Sequence, residues 1–499
     1  MERVGIVDLG SGTARLVVYA YEPGRHYRLV DELREPVRLG QGLAATGRIA
    51  PEAAWRALGF LAAVQDYARA TGLERIDAFA TSAVRSAANA QELLEPARRM
   101  GIGLRVLSGT EEARYGVLAV AAGFDFEDAW VMDLGGGSAQ LSRMRGRGFA
   151  GGAAHPLGAV RLSERFLAHD PPKPREVEAL AAEVRGRLQD VVGELRARPL
   201  PLVAMGGTVR NLARAVQRAR RYPLERLHGY FLSAADLDEL SERLLSLRAA
   251  RRRRVPGLSP DRADVIVAGA LVYRTLLQEA ALPGLWISGL GVREGAFFRH
   301  FLPPPHRPAC VRELHLASLE ARFPQPAAHT QSVRDLAARL FAALAPRFGL
   351  GEGDARLLDA AARLHDVGLA IDFYDHHKHG AYLVLQHTLA GWSHREQALL
   401  ALLVRYHRKG RPRPGALAAV LEPGDAERLV RLAAILRLAE HLERGRSGRV
   451  RRLEVEVGAD TVTLRVGGPE NPWVEVWEAQ KDAALFERAF GMRLAVQSL

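Results

Sequence analysis

Cysteine and lysine are the scarce residues of this 499-residue chain. A single cysteine, Cys310, cannot form an internal disulfide, which excludes a small stapled scaffold. No run of about 18 uncharged apolar residues occurs, so no segment reads as a bilayer-spanning helix and no membrane partner is expected. The N-terminal MERVGIVDLG lacks the basic-then-apolar layout of a signal peptide, and a cytoplasmic protein is the expectation. Lysine occurs only at Lys173, Lys378, Lys409 and Lys481, so nearly all of the positive charge behind the net +12 is arginine. Guanidinium forks suit phosphate and carboxylate oxygens, and a polyanionic ligand fits this excess, as does a plain coding bias toward arginine. Aromatics are only 7% of the chain and none interleaves the Arg251–Arg254 run, so stacking on single-stranded nucleic acid is unsupported and no specific nucleic acid is expected.

What is present is material for several cores. With 48% hydrophobic and 25% charged residues the chain is globular, and its length predicts three or four domains at about 100–200 residues each. The opening reads as strand (Val4–Asp8), tight turn (Gly10-Ser11-Gly12) and strand (Leu16–Tyr21). A helix is predicted over Pro51–Thr71, then a strand at Ile76–Thr81, a helix at Ala87–Met100, a strand at Leu104–Leu107 and a helix at Glu111–Ala122. This alternation indicates α/β architecture. The same grammar restarts 125 residues later, where VMDLGGGSAQLSRM repeats the pattern of IVDLGSGTARLVVY; a duplicated domain follows. Leu202–Met205 and Leu285–Ser288 are further strands that run into glycine turns, GGT and GLGVREG. The Pro-rich segment 303–310 reads as a linker. Beyond it the spacing turns helical (Ser332–Phe348, Asp354–His365, His379–Leu389, Arg395–Tyr406, Ala426–Glu443), and the last fifty residues return to a hairpin and one closing helix.

A glycine turn between strands aims several backbone N–H groups at one point and admits a phosphate without Cβ collisions. Ser11, Thr13 and Ser138 add hydroxyl donors, and Asp8 and Asp133 end their strands where carboxylates can hold Mg²⁺. Two such turns with one grammar, plus Gly206-Gly207-Thr208, point to phosphate binding far more strongly than one hairpin could.

These segments resemble the exopolyphosphatase/guanosine pentaphosphate phosphohydrolase family, a branch of the actin, sugar-kinase and heat-shock ATPase superfamily. The likeness runs through VGIVDLGSGTARLVV, ATSAVRSAANAQELL, VLSGTEEARYGVLAV, VMDLGGGSAQL, AMGGTVRNLA and ISGLGVREGAFF in order. It implies an α/β fold class: two actin-like (ribonuclease H-like) domains, 1–122 and 123–302, then the linker 303–310, an all-helical HD-like domain 311–448 and a small α+β extension 449–499. The active site would lie between the first two. The resemblance further implies removal of terminal phosphates from inorganic polyphosphate or guanosine pentaphosphate, with Mg²⁺ or Mn²⁺ as cofactor. Glu112 falls on the water-positioning glutamate, Glu111 is its lesser neighbour, and Asp8 and Asp133 fall on the metal- and phosphate-organising aspartates. Arg85 falls on the phosphate-contacting arginine, beside Ser11, Gly12, Thr13, Gly135, Gly136, Gly137, Ser138, Gly207 and Thr208 around the phosphates; Arg161 is a weaker candidate. A homodimer stays open.

One departure stands out. The family's second turn ordinarily ends in glutamate, and here Gln140 takes its place, keeping the size without the charge or the proton acceptance. A glutamate there would favour Mg²⁺, so the glutamine leaves a second reading, a weakened phosphate- or nucleotide-binding regulator. The helical region resembles the HD phosphohydrolase superfamily through His329, His365-Asp366, the HHKH run at 376–379 and VRYHRKG, with Glu440 where the distant acid usually is an aspartate. His329, His365, Asp366 and Glu440 would then hold a second divalent metal. This leaves a third reading, an HD-type hydrolase with the front half as its sensor. The Arg143/Arg145/Arg147 and Arg251–Arg254 clusters read as solvated loops or as a track for a polyanion.

Overall fold

Apolar alternation at the N-terminus makes strand β1 (Glu2–Leu9), which glycine turns fold back into β2 (Ala14–Glu22) and on to β3 (His26–Glu35). Two parallel strands, β4 (Ile76–Ala80) and β5 (Arg105–Val106), complete a five-stranded sheet ordered β3-β2-β1-β4-β5. The repeat builds the same core again. Strands β6 (Ala129–Leu134), β7 (Ala139–Arg145) and β8 (Gly148–His155) form the antiparallel meander. Parallel β9 (Leu202–Met205) joins β6, followed by β11 (Gly284–Ile287) and the short β10 (Phe231–Ser233), giving the order β10-β11-β9-β6-β7-β8. This computed structural model describes residues 1–499 and separates into two units, Met1–Leu314 and His315–Leu499.

Two helices tie the halves of the front unit together. The helix Gly109–Gly123 buries Val117, Val120 and Ala121 against β6 and β9, and Tyr115 and Ala122 in the core around β1 and β2. The helix Val292–Phe301, although it follows β11, sends Phe297, Phe298 and Phe301 into that same first-sheet core, with Phe297 stacked on Tyr19 at 4.0 Å. A Cβ on Gly295 would lie 1.9 Å from the carbonyl oxygen of Tyr115, so the two helices cross in direct backbone contact.

The rear unit is helical. Its main helices are Ala327–Phe348, Glu352–Leu364, His376–Gln386, His394–Tyr406 and Asp425–Leu442. The C-terminal strands β12 (Arg452–Val457), β13 (Thr461–Gly467) and β14 (Arg493–Ser498) form a small sheet whose Val462, Leu464 and Val466 share one core with Leu340, Leu436 and Ala439. The tail is thus packed into the helical core, not appended to it.

Several expectations change. The predicted helix 87–100 shortens to Gln91–Arg99, and a separate short helix, Ser82–Ser86, precedes it; Ala87 is extended (ψ 129°), so the chain turns before restarting. β3, β8, β10 and β14 are additional, as are the helices Ala159–Phe166, Pro174–Ala197, Ala234–Ser246, Ile266–Ala280 and Val311–Arg322, and the tail carries two helices, Trp473–Gln480 and Ala483–Phe490, where one was expected. The arginine clusters are divided: Arg147 is buried and donates to the carbonyl of Ala121, and Arg252 is buried on Asp170, whereas Arg145, Arg251, Arg253 and Arg254 are exposed.

Candidate functional site

The register of the two duplicated hairpins sets the site. In the first, Asp8 pairs with Arg15 across the turn; in the second, Asp133 occupies the same place and pairs with Gln140. Each turn is closed by one backbone bond, Gly10 N–H to Thr13 O (3.2 Å) and Gly135 N–H to Ser138 O (2.9 Å). The turns meet: a Cβ on Gly137 would lie 2.8 Å from Ser82 Oγ and 3.3 Å from Ser11 Oγ, and Ser11 and Ser82 share a hydrogen bond of 2.9 Å. Above them opens a cleft of about 500 Å³. Asp8, Ser11, Gly12, Thr13, Glu112, Asp133, Gly135, Gly136, Ser138, Gln140 and Gly207 line it, as the sequence suggests.

Glu111 and Glu112, adjacent in sequence, have different roles. Glu111 closes a capping box: its carboxylate accepts from Ser108 N–H (2.8 Å) while Ser108 Oγ accepts from Glu111 N–H. The backbone N–H of Ser108 holds the Glu111 carboxyl below the usual carboxylate range. Glu112, one position on, points into the cleft and is buried. Its Oε2 accepts from Arg85 Nη1 (2.7 Å) and from Gln140 Nε2 (3.2 Å), and Gln140 Nε2 also reaches Ser138 Oγ at 3.0 Å. Burial pushes the Glu112 carboxyl up to about 7; Arg85 opposes the shift, and Asp133 and Asp8 add to it. Burial likewise raises Asp133 to about 6, opposed by Arg210, and raises Asp8, opposed by Arg293 and Arg15. Three carboxyl groups held above their ordinary range in one cleft make a place that favours cations and a proton acceptor near neutral pH.

Three of the expected phosphate residues do not line the cleft. Arg85 lies behind Glu112, its guanidinium taken by that carboxylate and by the carbonyl of Leu107. Thr208 is buried under Gly269, and Gly137 is covered by the serines. Arg161 braces the second turn by donating to Gly137 O at 3.0 Å. Other guanidiniums face the cleft instead: Arg15, Arg38, Arg210, Arg262 and Arg293. Arg293 lies 3.5 Å from Asp8 Oδ2. Arg210 is held by the carbonyls of Gly206 (3.1 Å) and Gly289 (3.2 Å), and burial lowers it to about 10. Gly206 has φ +97°, and a Cβ there would meet Asp133 Oδ1 at 2.8 Å, so only glycine allows this turn beside the aspartate. The available signal for Arg210 and Arg293 was their place just after two strand-to-glycine junctions, GGTVR and GLGVR.

The oxygen-rich pair Asp8 and Asp133 fits a hard divalent cation, which prefers carboxylate and water oxygens. The rear unit gathers a different set: His329, His365, Asp366 and Glu440 come together, all buried, with Nε2 of His329 3.1 Å from Glu440 Oε2 and 3.7 Å from Asp366 Oδ2. Buried His376 and His407 join them, whereas the HHKH run, with His377 also buried, offers no exposed histidine row to a polyanion.

Comparison with known proteins agrees with this geometry. Residues 17–303 match the family model described as the Ppx/GppA phosphatase family, and residues 311–480 match Ppx/GppA phosphatase, domain III. Exopolyphosphatase 1 of Mycobacterium leprae is 32% identical over 302 residues, 60% of this chain and 89% of that protein. Exopolyphosphatase 1 of Mycobacterium tuberculosis H37Rv is 31% identical over 302 residues, 60% of this chain and 88% of that protein. The crystal structure of the Aquifex aeolicus Ppx/GppA family member has 28% identity and a TM-score of 0.52, covering 59% of this chain and 96% of that one.

Proposed function

This chain belongs to the Ppx/GppA phosphatase family, and on that premise we propose that it hydrolyses the terminal phosphoanhydride bonds of inorganic polyphosphate, of guanosine pentaphosphate, or of both. The observation that carries the reading is Glu112: a buried carboxylate, raised to about 7, aimed into a cleft between two phosphate-type turns and clamped by Arg85 and Gln140. In this reading the front unit divides near 122/123, and its two halves each contribute one turn.

Phosphoryl transfer needs a water in line with the breaking P–O bond and compensation of the charge on the phosphate oxygens. Glu112 orients that water and accepts its proton. The backbone N–H groups around Gly12 and Gly136, the hydroxyls of Ser11, Thr13 and Ser138, and the guanidiniums of Arg210, Arg262 and Arg293 face the phosphate charge. Asp8 and Asp133 would hold Mg²⁺ or Mn²⁺, which supplies charge neutralisation on the phosphate oxygens when bound. Arg85, taken by Glu112, positions the base and not the substrate.

The test is phosphate release from long-chain polyphosphate and from guanosine pentaphosphate, each with Mg²⁺ and with chelator. Mg²⁺-dependent release from at least one is the expected result. Tight binding of either with no release would replace this reading by the regulator that Gln140 suggests.

A further inference from the structure

The aromatics that the Arg251–Arg254 run lacks gather on one face of the rear unit. The segment 371–375, which leads into the helix His376–Gln386, turns Phe373 and Tyr374 outward, 55% and 80% exposed, with their rings edge to face at 5.7 Å. Tyr382, 58% exposed, stands on that helix one turn beyond exposed Lys378 and on the same side. A single ring left in water needs no explanation, whereas a cluster of them marks a contact surface.

Cations frame the rings. Lys378 Nζ and Lys409 Nζ share the Asp375 carboxylate, at 2.7 Å and 3.7 Å, which joins the loop after the helix His394–Tyr406 to the ring-bearing segment. Arg408 lies over the Phe373 ring, its guanidinium carbon 5.3 Å from the centroid. Arg411 and Arg413 follow in the same loop, both exposed. That loop is held in place from the helix Asp425–Leu442, where buried Arg437 donates to the carbonyls of Tyr406 and Gly410, each at 2.8 Å. Segments 371–382 and 404–413 together carry six Lys and Arg against Asp372 and Asp375, a net charge of +4.

Cations alone would suit any polyanion, and rings alone any apolar partner. Interleaved, they suit a polyanion that also presents flat π-faces, with bases stacked on open rings and phosphates on lysine and arginine. An acidic peptide would leave the rings idle. A membrane surface calls for aliphatic side chains to immerse, and Ile371 is the one exposed large aliphatic side chain of the two segments. We propose that this face binds single-stranded nucleic acid, with bases on Phe373, Tyr374 and Tyr382 and phosphates on Lys378, Lys409, Arg411 and Arg413. Stacking accepts every base, so the binding is indifferent to sequence.

The test titrates the full-length chain into a short fluorescein-labelled oligouridylate, read by fluorescence anisotropy, beside an abasic strand of the same length and charge. The oligouridylate should bind about tenfold more tightly than the abasic strand. Its association constant should fall with salt at a log–log slope of about −3, as four phosphates met on a single strand require. Tyr374→Ala with Tyr382→Ala should bring the oligouridylate down to the affinity of the abasic strand, and Arg411→Gln with Arg413→Gln should weaken both strands. The four substituted side chains are exposed, so the core does not depend on them. Equal binding of the two strands by the parent, or oligouridylate binding that the tyrosine variant leaves unchanged, overturns the proposal. Phosphatidylserine vesicles that sediment the parent but not the tyrosine variant, with no oligouridylate bound, would replace it by a membrane contact.

Discussion

In the front cleft the groups that face one another are carboxylates, guanidiniums and the N–H groups of glycine turns, open to a cavity of about 500 Å³. In the rear cluster they are imidazoles around one carboxylate, with His365, Asp366 and His407 fully shielded from solvent. The first set is hard, heavily charged and reachable by a long anion; the second is softer and enclosed. Both halves of the chain match models of one phosphatase family, yet they present different donor chemistry. The oxygen donors of the front set suit hard cations, and the imidazoles of the rear set suit softer ones.

The largest expected effect belongs to the front. Glu112→Gln removes the proton acceptor but keeps the size and the contact with Arg85, so phosphate release should fall by about 10²–10⁴-fold while polyphosphate binding persists. Glu111→Ala, which removes only a capping partner, should change the rate less than threefold and instead lower stability by about 1 kcal/mol. Equal losses from the two would dissolve the distinction between the neighbours. Phosphate release and calorimetric binding on the same preparations measure both.

The rear should answer to packing. A Cβ on Gly368 would lie 1.9 Å from His376 O and 2.5 Å from Gly380 N, so this glycine is what brings His376 beneath Asp366. Gly368→Ala should therefore destabilise the rear unit by about 1–3 kcal/mol, leaving the front chemistry intact. Denaturant unfolding and phosphate release read the two separately. Between the regions, a chelator selective for transition metals in excess Mg²⁺ should lower the melting temperature of the chain while polyphosphate hydrolysis continues. Loss of hydrolysis under those conditions would erase the contrast.

How much of this was legible follows from what is local. The helix Pro51–Thr71 and strand Leu202–Met205 were readable to the residue because apolar period, a starting proline and a following glycine all act within a few positions. β3 was not, since His26–Glu35 is largely exposed and polar and exists through its pairing with β2. The two DLG turns were visible as a repeat, and with them Asp8 and Asp133; Glu112 and Gln140 stood out only through the family resemblance. Arg210 and Arg293 were missed although each follows a strand-to-glycine junction, because that local pattern does not say which way a tertiary fold turns the side chain. His376 and His407 were singled out within the HHKH run and VRYHRKG, but their meeting was not legible: 31 residues apart on different helices, they come together through the close approach at Gly368. Arg85 shows what sequence could not give, the partner of its Nη1, which is the Glu112 carboxylate.

A smaller effect than that of Glu112, and the one that sharpens the front half of the comparison most, comes from Gln140. Sequence reading presents it as a lost acid, whereas its amide donates to Glu112 Oε2 at 3.2 Å. With Glu112 as base and its carboxyl at about 7, only the deprotonated form works. The rate should therefore rise with pH below about 7 and level off above it, provided Asp133, at about 6, is also ionised. Gln140→Glu replaces a donor by a second carboxylate at that distance, so the pair shares a proton and its acidic limb moves upward by about 1 unit or more. Turnover at pH 7 should drop by roughly fivefold for a shift of that size, approach the parent above pH 8.5 or so, and recover in part at higher Mg²⁺, which offsets the added charge. A pH–rate profile at two Mg²⁺ concentrations separates the cases. A limb that stays put, with faster turnover at pH 7, would mean that the glutamine is a missing ligand and that Arg85 alone holds Glu112.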